Sequence, residues 1–170
     1  VIYGNALFIP TFKAQKSGAI INIASAAAFT SLPRMGAYNV SKAGVRALSE
    51  TMDAELNHLG VTVSCVMPTF FKTKVMQHAR GKQEELEMSK MIFATSELTP
   101  ERVAKHILKK VGKGRFHIVL PADAKFMFFM KRFFPSILLR MFRQAEKRQG
   151  AFKANLRKKY ARMDKKGKVD

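Results

Sequence analysis

The sequence predicts an α/β fold of parallel strands joined by a helical crossover, extended at its C-terminus by apolar and basic helices. Three observations carry this expectation. Residues 19–24 are mostly apolar and β-branched behind a Ser17-Gly18 turn signal, as in a strand buried on both faces. Residues 43–59 then place Ala43, Val45, Leu48, Met52, Leu56 and Leu59 at helical spacing, with Gly60 at the end. Val61 to Met67 reads as a second short strand. Parallel strands need a long connection, and strand–helix–strand in this order is a right-handed βαβ unit.

The chain has 170 residues, enough for one domain with a real core. Its net charge is +19, and residues 131–170 supply +11 of that, through fourteen Lys and Arg against three acids. The excess therefore belongs to a C-terminal appendix. Such a segment attracts anionic lipid or nucleic acid. Nothing in it reads bases, so nucleic acid is not an expected partner. The single Cys65 excludes an internal disulfide framework and fits a reducing, cytoplasmic setting. It falls in a strand pattern and is expected to be buried packing. His58, His78, His106 and His117 are scattered, no metal-ligand spacing occurs, and no metal is expected.

The chemistry centres on three residues. Ser25 ends the first strand, and about a dozen residues later Tyr38 and Lys42 stand four apart at the opening of a helical segment. Positions i and i+4 lie one above the other on a helix face. A free phenol has a pKa near ~10, too high for a good base at neutral pH. A nearby ammonium favours phenolate, so the phenol can exchange a proton with an alcohol or carbonyl oxygen. A serine hydroxyl can hold the same oxygen in place. Hydride transfer needs a nicotinamide cofactor, because no side chain donates hydride.

The order Ser25, Tyr38-Asn39-Val40-Ser41-Lys42, helix, strand, Pro68, Thr73 resembles the short-chain dehydrogenase/reductase family, over about residues 1–121. The resemblance implies a Rossmann-like doubly wound parallel sheet. It also implies an NAD(P)-dependent oxidoreductase that interconverts an alcohol and a carbonyl. In that family Tyr38 would be the proton donor and acceptor, Lys42 would lower its pKa and bond the nicotinamide ribose, and Ser25 would position the substrate oxygen. Tyr38, Lys42, Pro68, Thr69 and Thr73 would contact NAD or NADP, with Thr73 on the nicotinamide amide. The family's Pro-Gly is here Pro68-Thr69; Thr tolerates neither positive φ nor close backbone approach easily, so a remodelled turn is expected. No glycine-rich phosphate-cradling motif occurs in the chain. That segment and the family's catalytic Asn are expected upstream of Val1, and the chain alone is expected to be inactive. NAD versus NADP, the substrate and the direction of reaction are not legible.

The remaining elements follow in order. Residues 1–15 show a partly helical pattern; in the family this helix and the one after Ser41 form a dimer interface, which implies a homo-oligomer. Phe29, Leu32, Pro33 and Met35, between Ser25 and Tyr38, either line a substrate pocket or cover the sheet end. Residues 70–98 are polar and Met-rich, with a helix expected over 82–93; in the family this is the substrate lid. Thr99-Pro100-Glu101 is a helix start running to Val111. Arg115 to Leu120 is the last strand, stopped by Pro121. Residues 124–142 are apolar but interrupted by Lys131-Arg132 and Pro135, so they do not make an uninterrupted span of ~20 residues. Two short basic and apolar helices fit either an anionic membrane surface or a cover for the pocket. Residues 147–168 are a basic tail with Phe152, Leu156 and Tyr160 at four-residue spacing, either a helix in part or, as the main expectation, a solvated and frayed end.

The expected division is a catalytic and substrate-binding part over residues 1–121 and a helical extension over 122–170. The methionines of the lid and the Phe-rich extension point to a small hydrophobic alcohol or carbonyl substrate. The alternative is a non-catalytic remnant of the fold acting at a membrane surface or in protein interactions.

Overall fold

The computed structural model describes residues 1–73 and 83–164; residues 74–82 of the expected lid, with His78, and residues 165–168 of the basic tail lie outside them. The chain forms two compact units, residues 1–69 with 105–138, and residues 70–104 with 139–170.

In the first unit, helix α1 (Ile2–Gln15) leads into strand β1 (Gly18–Ile23), a single helical turn α2 (Ala27–Thr30), the long helix α3 (Gly36–Leu56) and strand β2 (Val61–Pro68). The later part of helix α5 (Pro100–Val111), strand β3 (His117–Leu120), helix α6 (Ala122–Phe133) and the start of α7 (Pro135–Lys147) complete it. The sheet order is β1-β2-β3, all parallel. Gly18 pairs with Val61 and Ile23 with Val66, while Cys65 pairs with His117. The βαβ expectation holds, with α3 as the crossover. A one-turn 3-10 segment, Asn57–Leu59, ends α3 at Gly60, whose φ of 79° is left-handed. A Cβ there would lie 2.3 Å from Lys16 O, so only glycine fits.

One face of the sheet carries two clusters of the core. Ile20, Met52, Leu56, Val61 and Val63 pack together, with Ile9 and Phe12 of α1 against them. Towards the strand ends Ala24, Phe29, Cys65, Met67, Val119 and Ala124 form the neighbouring cluster. Phe29 meets Phe128 of α6 edge-on at 5.0 Å. β2 is buried along almost its whole length, as expected of a central strand. Among the described residues β1 has a single strand neighbour, β2. Only Ile20 and Asn22 are buried, Ile21 is half-buried, and Ile23 is 48 % exposed. Among the described residues β1 is an edge strand, and α1 and α3 both cover the same face of it, so the other face stays open.

The second unit contains α4 (Gln83–Ala94), the start of α5 (Pro100–Val111), the later part of α7 (Pro135–Lys147) and α8 (Gln149–Asp164). Phe70 meets Phe93 edge-on at 5.2 Å, and Ser96 Oγ donates to Phe70 O at 3.1 Å. Thr99 caps α5 as the sequence predicts, its hydroxyl accepting from Arg102 N–H at 3.4 Å. Of the two readings of the basic tail, the described residues take the helical one and not the frayed end. The tail forms a 16-residue helix packed on α4, because half-buried Leu156, Tyr160 and Met163 recur at helical spacing. Among the described residues no helix is long and apolar enough to cross a membrane.

Candidate active site

The site lies where β1 ends. The ladder continues past the strand: Ala24 N–H donates to Val66 O and Ala26 N–H to Pro68 O, each at 2.8 Å. Ser25 sits between these two bonds, so its backbone is fixed against β2. Its Oγ accepts from Ala27 N–H at 3.2 Å, which starts the α2 turn. The hydroxyl hydrogen of Ser25 is left to donate outwards.

Tyr38 and Lys42 occupy the first two turns of α3, on one face. Lys42 Nζ donates to Ile23 O at 3.2 Å, and lies 5.7 Å from the centroid of the Tyr38 ring. The lysine thus joins the end of β1 to the tyrosine. An ammonium has three donors, so two remain for other partners. Tyr38 is 41 % exposed, and its hydroxyl has no hydrogen-bond partner among the described residues. The neighbouring Asn39 donates to Leu32 O at 2.8 Å, pinning the loop before α3. Of the loop's apolar residues, Phe29 is core, while Leu32 and Met35 are half-buried.

The structure also supplies a support that the sequence reading missed. Asn5 Nδ2 donates to Asn22 Oδ1 at 3.1 Å, and Asn22 Nδ2 donates to Ser49 Oγ at 3.0 Å. Ser49 in turn donates to Val45 O at 2.7 Å. All three side chains are buried. This chain locks α1 and α3 onto β1 about two turns below Lys42 and three below Tyr38. Its signal in the sequence was Asn22, a polar residue inside the run Ile20-Ile21-Asn22-Ile23.

Pro68 and Thr69 end β2 beside Ser25. Thr69 does not adopt a positive φ, and its N–H donates to Leu120 O at 3.0 Å. The turn therefore takes threonine without left-handed strain. Thr73 belongs to the second unit, where the nearby Lys72 N–H donates to Leu98 O at 3.0 Å. Cys65 is fully buried as expected, and burial pushes its thiol up to about 11.

A family model described as short chain dehydrogenase matches residues 1–84. The SadH protein of Mycobacterium tuberculosis is 33 % identical over 131 residues, which cover 74 % of this chain and 47 % of SadH. The NADP-dependent (R)-specific alcohol dehydrogenase of Lentilactobacillus kefiri is 37 % identical over 87 residues, 49 % of this chain and 34 % of that enzyme. Among solved structures, a short chain dehydrogenase from Burkholderia cenocepacia J2315 in complex with NADP superposes with a TM-score of 0.64 at 22 % identity. That match covers 79 % of this chain and 51 % of the other. The chain spans about half the length of SadH, or less than half for the alcohol dehydrogenase.

Proposed function

The chain belongs to the short-chain dehydrogenase/reductase family, and from that premise we propose that it carries the proton-transfer part of an NAD(P)-dependent oxidoreductase. The observation that carries the reading is Lys42, held between Ile23 O and the Tyr38 ring at the end of β1. Ligands of open parallel sheets bind outside the carboxyl ends of the strands, and Ser25, Pro68 and Thr69 stand there. The donor set suits a dinucleotide: the two unspent protons of Lys42 match the hydroxyls of a ribose. Bound NAD or NADP supplies or takes the hydride.

The chain's own residues move the proton. Ser25 donates its O–H to the substrate oxygen and fixes it. Tyr38 gives its phenolic proton to that oxygen when a carbonyl is reduced, and takes it back when an alcohol is oxidised. Lys42 holds positive charge beside the phenolate formed in the first case. Half-buried Leu32 and Met35 suit a small hydrophobic alcohol or ketone. The test is NAD(P)H consumption by the full-length gene product with a panel of apolar ketones.

Two partner assignments go with this reading. α1 exposes Ile2, Tyr3, Leu7 and Phe8, each more than 60 % exposed, which suits a second copy of the chain. α6 exposes Phe126, Phe129 and Phe133 on one stripe, flanked by Lys125 and Arg132. That combination suits peripheral attachment to an anionic membrane surface.

A further inference from the structure

The outer edge of β3 borders a cleft of about 230 Å3 within the first unit. α5 contributes His106 and Lys110, the approach to β3 contributes Arg115, and α6 contributes Lys125. His117 and the buried Ile118 form its strand side. Among the described residues lining it there is no carboxylate, and Lys110, Arg115 and Lys125 make no ion pair. Three cations from three separate segments thus converge on one concavity whose described lining residues include no carboxylate.

We propose that this cleft binds a phosphate group, either free or on a lipid headgroup. A guanidinium takes phosphate oxygens in a bidentate fork, and ammonium groups add point charge. An edge strand also presents unpaired peptide N–H groups. The local field agrees: burial, then the charges of Lys110, Lys125 and Lys109, hold the His106 imidazole below its ordinary range. His117 is lowered too, by burial and Arg46, although Glu50 opposes this from 3.6 Å. The cleft is distinct from the oxidoreductase site: it is lined by β3, whereas Ser25 follows the end of β1, two strands away in the sheet.

Titration calorimetry of the full chain with inorganic phosphate, at constant ionic strength, tests the assignment. Saturable binding is expected, and the pair Lys110→Gln, Arg115→Gln should weaken it about tenfold or more. The control pair Arg157→Gln, Lys158→Gln removes the same charge from α8 and should change affinity by less than about twofold. No saturable binding in the parent, or equal loss in both pairs, overturns the proposal. The substituted side chains are exposed or half-exposed, and unchanged thermal melts confirm that folding is intact. Vesicles of phosphatidic acid and phosphatidylcholine, against phosphatidylcholine alone, distinguish the sources. If phosphate releases the protein and the Lys110, Arg115 pair abolishes vesicle binding, the ligand is a headgroup. If vesicle binding ignores both, the ligand is free phosphate and the calorimetry stands.

Discussion

Lys42 Nζ donates to Ile23 O at 3.2 Å, so a side chain from the second turn of α3 closes onto the last residue of β1. This bond separates structure from chemistry in a variant. Lys42→Met removes one partly exposed hydrogen bond, worth about 1 kcal/mol, and should lower the melting midpoint by no more than about 4 °C. Turnover of the full-length product should fall about a hundredfold. Melting and turnover measured on the same preparation check this. A large drop in melting with proportionate activity would make Lys42 a structural residue.

Asn22 should matter for stability. Asn22→Leu takes the acceptor from Asn5 and the donor from Ser49 in a buried setting, and each stranded group costs roughly 1–3 kcal/mol. Adding Asn5→Leu removes one of the stranded groups and should recover part of the loss. Denaturant unfolding of both variants gives the comparison. Equal stability of Asn22→Leu and the parent would mean that the buried polar chain is dispensable.

The Cys65 thiol makes a pH prediction. Burial raises it from 9.0 to about 11, helped weakly by Glu50 and opposed by the Ser49 hydrogen bond and Arg46. The folded pKa lies above the unfolded one, so this contribution to stability is complete below about pH 9 and is lost as the pH climbs towards 11. Thiol-reagent labelling at pH 8 should therefore be slow in the folded protein and fast in denaturant. Rapid labelling of the folded form would contradict the buried assignment.

The strand–helix–strand core was legible because it depends on local signals, an apolar run and a helical period; the proposed Ser25, Tyr38, Lys42 set rests on a four-residue spacing of the same local kind. What was not legible depends on neighbours. Asn5 and Ser49 look like ordinary polar helix residues until Asn22 stands between them. The basic tail reads as frayed by charge, but α4 supplies the surface that its Leu156, Tyr160 and Met163 stripe needs. The cleft at β3 gathers Lys110, Arg115 and Lys125 from three segments, and no spacing in the chain marks it.

The α6 stripe predicts vesicle binding. The protein should float with anionic vesicles, and Phe126→Ser, Phe129→Ser and Phe133→Ser together should release it, since each ring is about half exposed or more and lies outside the core. Flotation that survives the triple variant would assign attachment to charge alone. No flotation at low salt would remove the membrane assignment.

The most direct measurement is the turnover of Tyr38→Phe in the full-length gene product, with NAD(P)H and an apolar ketone. The substitution removes one exposed oxygen that holds no hydrogen bond among the described residues, so the melt should match the parent. Loss of the proton donor should cut turnover about 10²–10⁴-fold. Retention of most of the parent's activity would contradict the assignment of Tyr38, and with it the proton-transfer role of this chain.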